Sequence, residues 1–168
     1  MFVTHFRSLL RFHFWARDRL VVGVQQLGAA QYTAAATGGW GSVAATLAHL
    51  AGAERIWLDR IHGSSASALL DERDLATLAA VQTYDQETEQ HWQRYIATLT
   101  EAELARGVAY TTTTGTPFVT SVADIITHVV NHATEHRAQI AMLLTAADIA
   151  HPGMDVILFV RESAATPV

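Results

Sequence analysis

Apolar residues recur every three or four positions over four long stretches of the chain, the spacing that gives a helix one greasy face. In the first stretch Phe6, Leu9, Leu10, Phe14, Val21 and Val24 keep this spacing, with Trp15 beside Phe14, and they predict a helix from about Thr4 to Leu27. The Gly-rich run GAAQYTAAATGGWG stops it. Ser42 carries a hydroxyl suited to an N-cap, and SVAATLAHLAGAERIWLDRIH predicts a second helix ending at Gly63. The polar run GSSASALLDERD reads as a crossover loop or a short turn. Leu78, Val81, Trp92, Tyr95, Ile96 and Leu99 predict a third helix over Leu75 to Leu99. Thr100 and Glu103 then stand at capping-box spacing, which starts one more short turn.

The next run, GVAYTTTTGTPFVTS, changes character. β-Branched and aromatic residues surround Gly115 and Pro117, which predicts a small hairpin or an extended loop. Ser121 and Asp124 repeat the capping-box-like spacing, and a fourth helix runs from there to about Thr145. The tail HPGMDVILFVRES reads as a short packed segment, strand or helical turn. The expected fold is all-α: a four-helix bundle forming a single domain over residues 1–168. A long crossover connection follows its second helix, and a short extended loop or hairpin precedes the last long one.

Composition removes several chemistries. The 168 residues are 50% hydrophobic and 16% charged, enough apolar material for one buried core. The net charge is −5 and no basic stripe is evident, so a nucleic-acid backbone is a poor partner. No apolar run reaches the ~18 residues of a membrane span. The N-terminus holds arginines and no acid before Asp18, as a transit peptide would. Its apolar spacing nevertheless continues through VVGVQQL as one helix, so the expected location is the cytoplasm. There is no cysteine, hence no disulfide, no thiolate nucleophile and no sulfur ligand. All 11 basic residues are arginine, which excludes Schiff-base lysine and the phosphate lysine of a Walker loop. Histidine, at nine residues, is in rich supply.

Two of these histidines sit one turn apart in HATEH, at His132 and His136, with His128 a turn earlier. On a helical wheel Ile125, Val129, His136, Ile140 and Leu143 fall within ~80° of His132. The pair is thus expected at the centre of the apolar stripe, with His128 at its edge and Thr127, Asn131 and Thr134 opposite. Two adjacent imidazoles facing a core must satisfy their ring nitrogens, and protonating both is costly there. A divalent cation resolves the difficulty by taking one nitrogen from each. His49, among Ala45, Ala53, Ile56 and Trp57 on the second helix, also faces inward and completes a candidate triad. Three histidines leave an open position, the pattern of catalytic rather than structural sites. His5, His13, His62, His91 and His151 show no such pattern and read as surface or packing residues.

Taken together these segments resemble the DinB superfamily, damage-inducible proteins unrelated to the polymerase of the same name. FHFWARDRL is similar to the family's first helix, and SVAATLAHLAGAERIWLDRIHG to its second, with the first metal-binding histidine at His49. GVAYTTTTGTPFVTSVADIITHVVNHATEHRAQIAMLL is similar to its most specific segment and carries the other two at His132 and His136. The resemblance implies a bundle that binds zinc, nickel or a similar ion, often as a homodimer. It implies, for some members, thiol-dependent transfer or isomerisation with bacillithiol, mycothiol or glutathione. Two positions depart from the pattern: Glu135 stands where the family often has the first of two adjacent histidines, and Ala138 replaces a glycine.

The functional expectation is a divalent-metal protein with a His49, His132, His136 site acting on a small molecule. The reaction would be thiol S-transfer or isomerisation, or hydrolysis, with a low-molecular-weight thiol as co-substrate because the chain has no thiol of its own. Two alternatives stand beside it. One is a non-enzymatic metal-binding stress protein. The other treats HATEH as H-x-x-E-H, with Glu135 as the general base of a metallopeptidase; that mechanism needs a further acidic ligand, and only Asp148, Asp155 and Glu162 follow His136.

Overall fold

Four long helices dominate the computed structural model, which describes residues 2–37, 39–65 and 72–165. They are α1 (Phe2–Val24), α3 (Val43–Ile61), α4 (Leu78–Ala97) and α6 (Val122–Ala146). Short elements fill the joints: α2 (Ala29–Tyr32), a 3-10 turn (Glu72–Leu75), α5 (Glu101–Ala105) and α7 (Val156–Ala165). The two strands β1 (Gly107–Thr111) and β2 (Pro117–Ser121) pair antiparallel, with Tyr110 opposite Phe118. The all-α class is therefore as expected, with the hairpin in its expected place before the last long helix.

The helix starts follow from their caps. Ser42 Oγ accepts from the Ala45 amide at 3.0 Å, Thr100 Oγ1 from Glu103 at 3.1 Å, and Ser121 Oγ from Asp124 at 3.1 Å. Each satisfies an amide that has no partner within its helix. Thr77 caps α4 in the same way. The third helix thus begins at Leu78 rather than Leu75, because Leu75 closes the preceding 3-10 turn. Part of the expected crossover run, residues 66–71, lies outside the described residues.

Helix α6 packs along α1 and α3, and α3 along α4. Arg7 on α1 donates to the carbonyls of Ile96, Ala97 and Leu99 at the end of α4, and Arg17 pairs with Glu89, so α4 returns to α1. The core divides into two apolar clusters. One gathers Leu10, Leu58, Trp92, Ile125 and Ile126; the other gathers Leu20, Leu47, Val81, Ile140 and Leu144. Helix α3 ends in the first, at Ile61, yet the chain re-enters in the second, at Leu75, before α4 descends again. The end of α3 and the start of α4 therefore stand in different clusters of the core.

A buried polar layer separates the two clusters. His13 and Arg17 come from α1, Glu54 from α3, Asp85 and Thr88 from α4, and Arg137 from α6. Arg137 lies 3.1 Å from His13 Nδ1, and His13 Nε2 lies 2.9 Å from Glu54. Burial disfavours charge on Glu54, but His13, Arg17 and Arg137 outweigh it and hold the carboxyl below its ordinary range. Asp85 goes the other way: burial first, then the Glu54 charge, push it well up. Buried charges survive where they are paired.

Candidate metal centre

His49 projects from α3 and His132 and His136 from α6, and their rings meet in the seam between the two helices. The Nε2 atoms of His49 and His132 are 3.1 Å apart, and those of His136 and His132 are 3.2 Å apart. One ligand atom from each of the three lies within 4.8 Å of the others. Imidazole nitrogens held ~2.0–2.1 Å from one tetrahedral ion stand about 3.3 Å from each other, so the spacing is that of a shared cation. Three imidazoles converging on one point cannot each find a proton to share, since a neutral ring offers a single N–H.

The surroundings fix which nitrogen points inward. Gln139, one turn beyond His136, places its side-chain carbonyl 2.7 Å from His136 Nδ1. A proton on Nδ1 donates there and leaves the Nε2 lone pair free for a cation, the usual outer support of a metal-bound histidine. Trp40 lies flat on His49, ring centres 3.9 Å apart at 19°. The loop that carries it needs Gly39, whose φ is +59° and whose absent Cβ would meet Gln139 Oε1 and Thr46 Oγ1 at 3.2 Å each. Thr46 in turn accepts from the Trp40 amide at 3.3 Å. The Gly-rich connection is thus folded against both second-layer contacts.

Burial lowers the pKa of His49 to about 4, helped by the nearby His136. His132 falls to about 4 for the same first reason, then through His136, His49 and His128. Both rings are neutral at neutral pH, the form that binds a cation.

The site lies at the margin of the core. Val130, Ala133, Arg137, Ile140 and Leu144 are all buried, so the buried face of α6 is centred between Ala133 and Ile140. His136 is inside that face, while His132 is only half-buried and His128 is exposed. This corrects the expectation that the pair occupies the stripe's centre. Arg137, buried against His13 and Thr134, belongs to that face and lies away from His132.

The chain matches the DinB family model over residues 1–165. It belongs to the DinB family. Comparison with curated proteins finds no match. In this DinB protein the sequence-named histidines 49, 132 and 136 are brought together. Glu135 is exposed and outside the group, and among the described residues none of Asp148, Asp155 and Glu162 joins it. Ala138, at the family's glycine position, is exposed as well. His5, His62 and His91 are at the surface as expected, and His151 is half-buried. His13 is a packing residue of a particular kind, 1% exposed and paired with Glu54. Sequence reasoning missed Gln139 and Trp40. Gln139 had a signal, one turn from His136 on the same side; Trp40, in a Gly-rich loop, had none.

Proposed function

We propose that this DinB-family protein holds one divalent ion, zinc or nickel, on His49, His132 and His136. On this reading it catalyses a small-molecule reaction with a low-molecular-weight thiol: S-transfer, isomerisation or a related hydrolysis. The convergence of three Nε2 atoms within bonding distance of one point carries the reading. An ion bound only by neutral imidazoles keeps its charge and acidifies a water or thiol beside it. Gln139 keeps His136 in the ligand tautomer, and Trp40 holds His49 in place. The half-buried flank at His132 admits a substrate, and the absence of cysteine makes an external thiol the sulfur source.

The same reading takes the four long helices as a four-helix bundle in one cytoplasmic domain. No described helix is long and apolar enough to cross a membrane. Val156, Ile157 and Val160 of α7 are about half exposed and offer an apolar face for a homodimer. The net charge of −5 argues against nucleic acid.

Metal analysis of purified protein tests the core of the proposal. One equivalent is expected in the wild type, and His49→Ala and His132→Ala should each lose it. Unchanged stoichiometry in both variants would overturn it. A thiol panel with halogenated and epoxide electrophiles then separates an enzyme from a metal-binding protein without turnover: thiol consumption must appear in the metal-loaded protein and vanish after chelation.

A further inference from the structure

Arg60 has charge and, among the described residues, no ion-pair partner. It is 7% exposed, yet its guanidinium makes no hydrogen bond or ion pair with any described residue, and its Nε is buried without a partner. Two rings hold it instead: its Cζ lies 4.4 Å from the Trp57 ring and 4.7 Å from the Tyr110 ring. Rings occupy the faces of a guanidinium, while the five N–H donors lie along its edges. The edges of Arg60 are therefore left for an acceptor that no described residue supplies. Tyr110 is itself fixed, its hydroxyl 3.2 Å from Thr120 Oγ1 across the hairpin.

The position of Arg60 relates it to the histidines. It follows His49 by 11 residues, three turns, so the two lie ~20° apart on the same side of α3. Ring contacts bridge the interval: Trp57 to His128 at 4.8 Å, and His128 to His132 at 5.3 Å. Trp57 is half-buried and His128 exposed, so this row of rings is open along one side. Beyond Arg60 it continues to Tyr110 and the half-exposed Phe118, beside an open cavity of about 460 Å³.

We propose that Arg60 is the anion-binding end of a substrate groove. It takes the carboxylate of an elongated small molecule whose flat apolar body lies on Trp57, His128 and Tyr110 and whose reacting end points toward the three histidines, roughly 16 Å away along α3. This deepens the metal-enzyme reading by naming a substrate class, and it rests on that reading only for events at the histidine end.

The test uses three probes with one skeleton: 4-phenylbutyrate, 4-phenylbutanol and 4-phenylbutylamine. Binding to the full chain is followed by tryptophan fluorescence and calorimetry, as purified and again after chelation. The acid should bind at least tenfold tighter than the alcohol, the amine weakest, with the same order in both metal states. Arg60→Gln should abolish the preference for the acid, and Arg60→Lys should keep it. Equal affinity of acid and alcohol for the wild type overturns the proposal, and this comparison needs no variant to fold. A preference for the acid that survives Arg60→Gln, or disappears on chelation, overturns it too, because the carboxylate is then held at the metal. A protein that retains no metal but still selects the acid through Arg60 defeats the metal reading alone.

Discussion

Single side chains decide whether the three histidines can act as a unit. Gln139 touches no other member of the triad, yet it selects the His136 tautomer through one 2.7 Å contact. Gln139→Leu keeps the volume and removes the acceptor. Metal affinity should fall about 10–100-fold, the usual cost of losing such a support, while one equivalent still binds at saturation. Chelator competition measures this, and an unchanged affinity would show that Gln139 does not orient the ring. Glu54 presents the opposite case, a residue near the site whose work is structural. It is 5% exposed and faces His13, Arg17 and Arg137. Glu54→Ala strands that positive charge in the interior and should cost about 3–5 kcal/mol in urea unfolding. A loss under 1 kcal/mol would mean that water already screens the layer.

The elements show why some of the structure could be read in the sequence and some could not. Helix starts were legible at Ser42, Thr100 and Ser121, which cap as their spacing required, but not at Thr77, whose cap starts α4 three residues later than expected. Ser121 also joins β2 to α6, where its hydroxyl lies 2.6 Å from Asp124 Oδ2. Ser121→Ala should therefore lower stability by about 1 kcal/mol without changing metal stoichiometry, because the histidines begin more than a turn further on. Loss of metal in that variant would mean that the hairpin, rather than the helix pair, sets the site. The pairing of His132 with His136 was legible because i,i+4 spacing is a property of one helix. The exact face was not, since Arg137 counts as polar until its partners on α1 and α3 are known. The tail, which packs Phe159 against Phe12 and Trp15, was readable only as a short strand or helical turn; it forms the helix Val156–Ala165. The stacking of Trp40 and the orphan edge of Arg60 depend on loops and on a second element, and no local pattern announces either.

At the scale of the whole molecule, the site should tie stability to pH. His49 and His132 have folded pKa values of about 4 against an ordinary 6.5, chiefly through burial. As pH falls below 6.5 the unfolded chain takes up protons at these positions and the metal-free folded protein does not, so stability declines until pH reaches about 4. Both rings are half-buried, and solvent screening moderates the effect. Asp85 runs against it: its raised pKa makes ionisation a burden on the fold, which grows as pH rises. The two are separable because they sit on different helices. Relative to wild type, metal-free His49→Gln/His132→Gln should show a flatter decline in melting temperature between pH 6.5 and 4. Asp85→Asn should melt higher at neutral pH and lose that advantage in acid. Added nickel or zinc should raise the melting temperature of the wild type alone, by an amount that grows with metal concentration and shrinks on acidification, as protons compete for the same nitrogens. A metal-induced shift of equal size in the double variant would place the ion elsewhere in the molecule. A parallel pH decline in wild type and double variant would mean that the two rings are far more open to solvent than their packing against Trp40 and His128 allows.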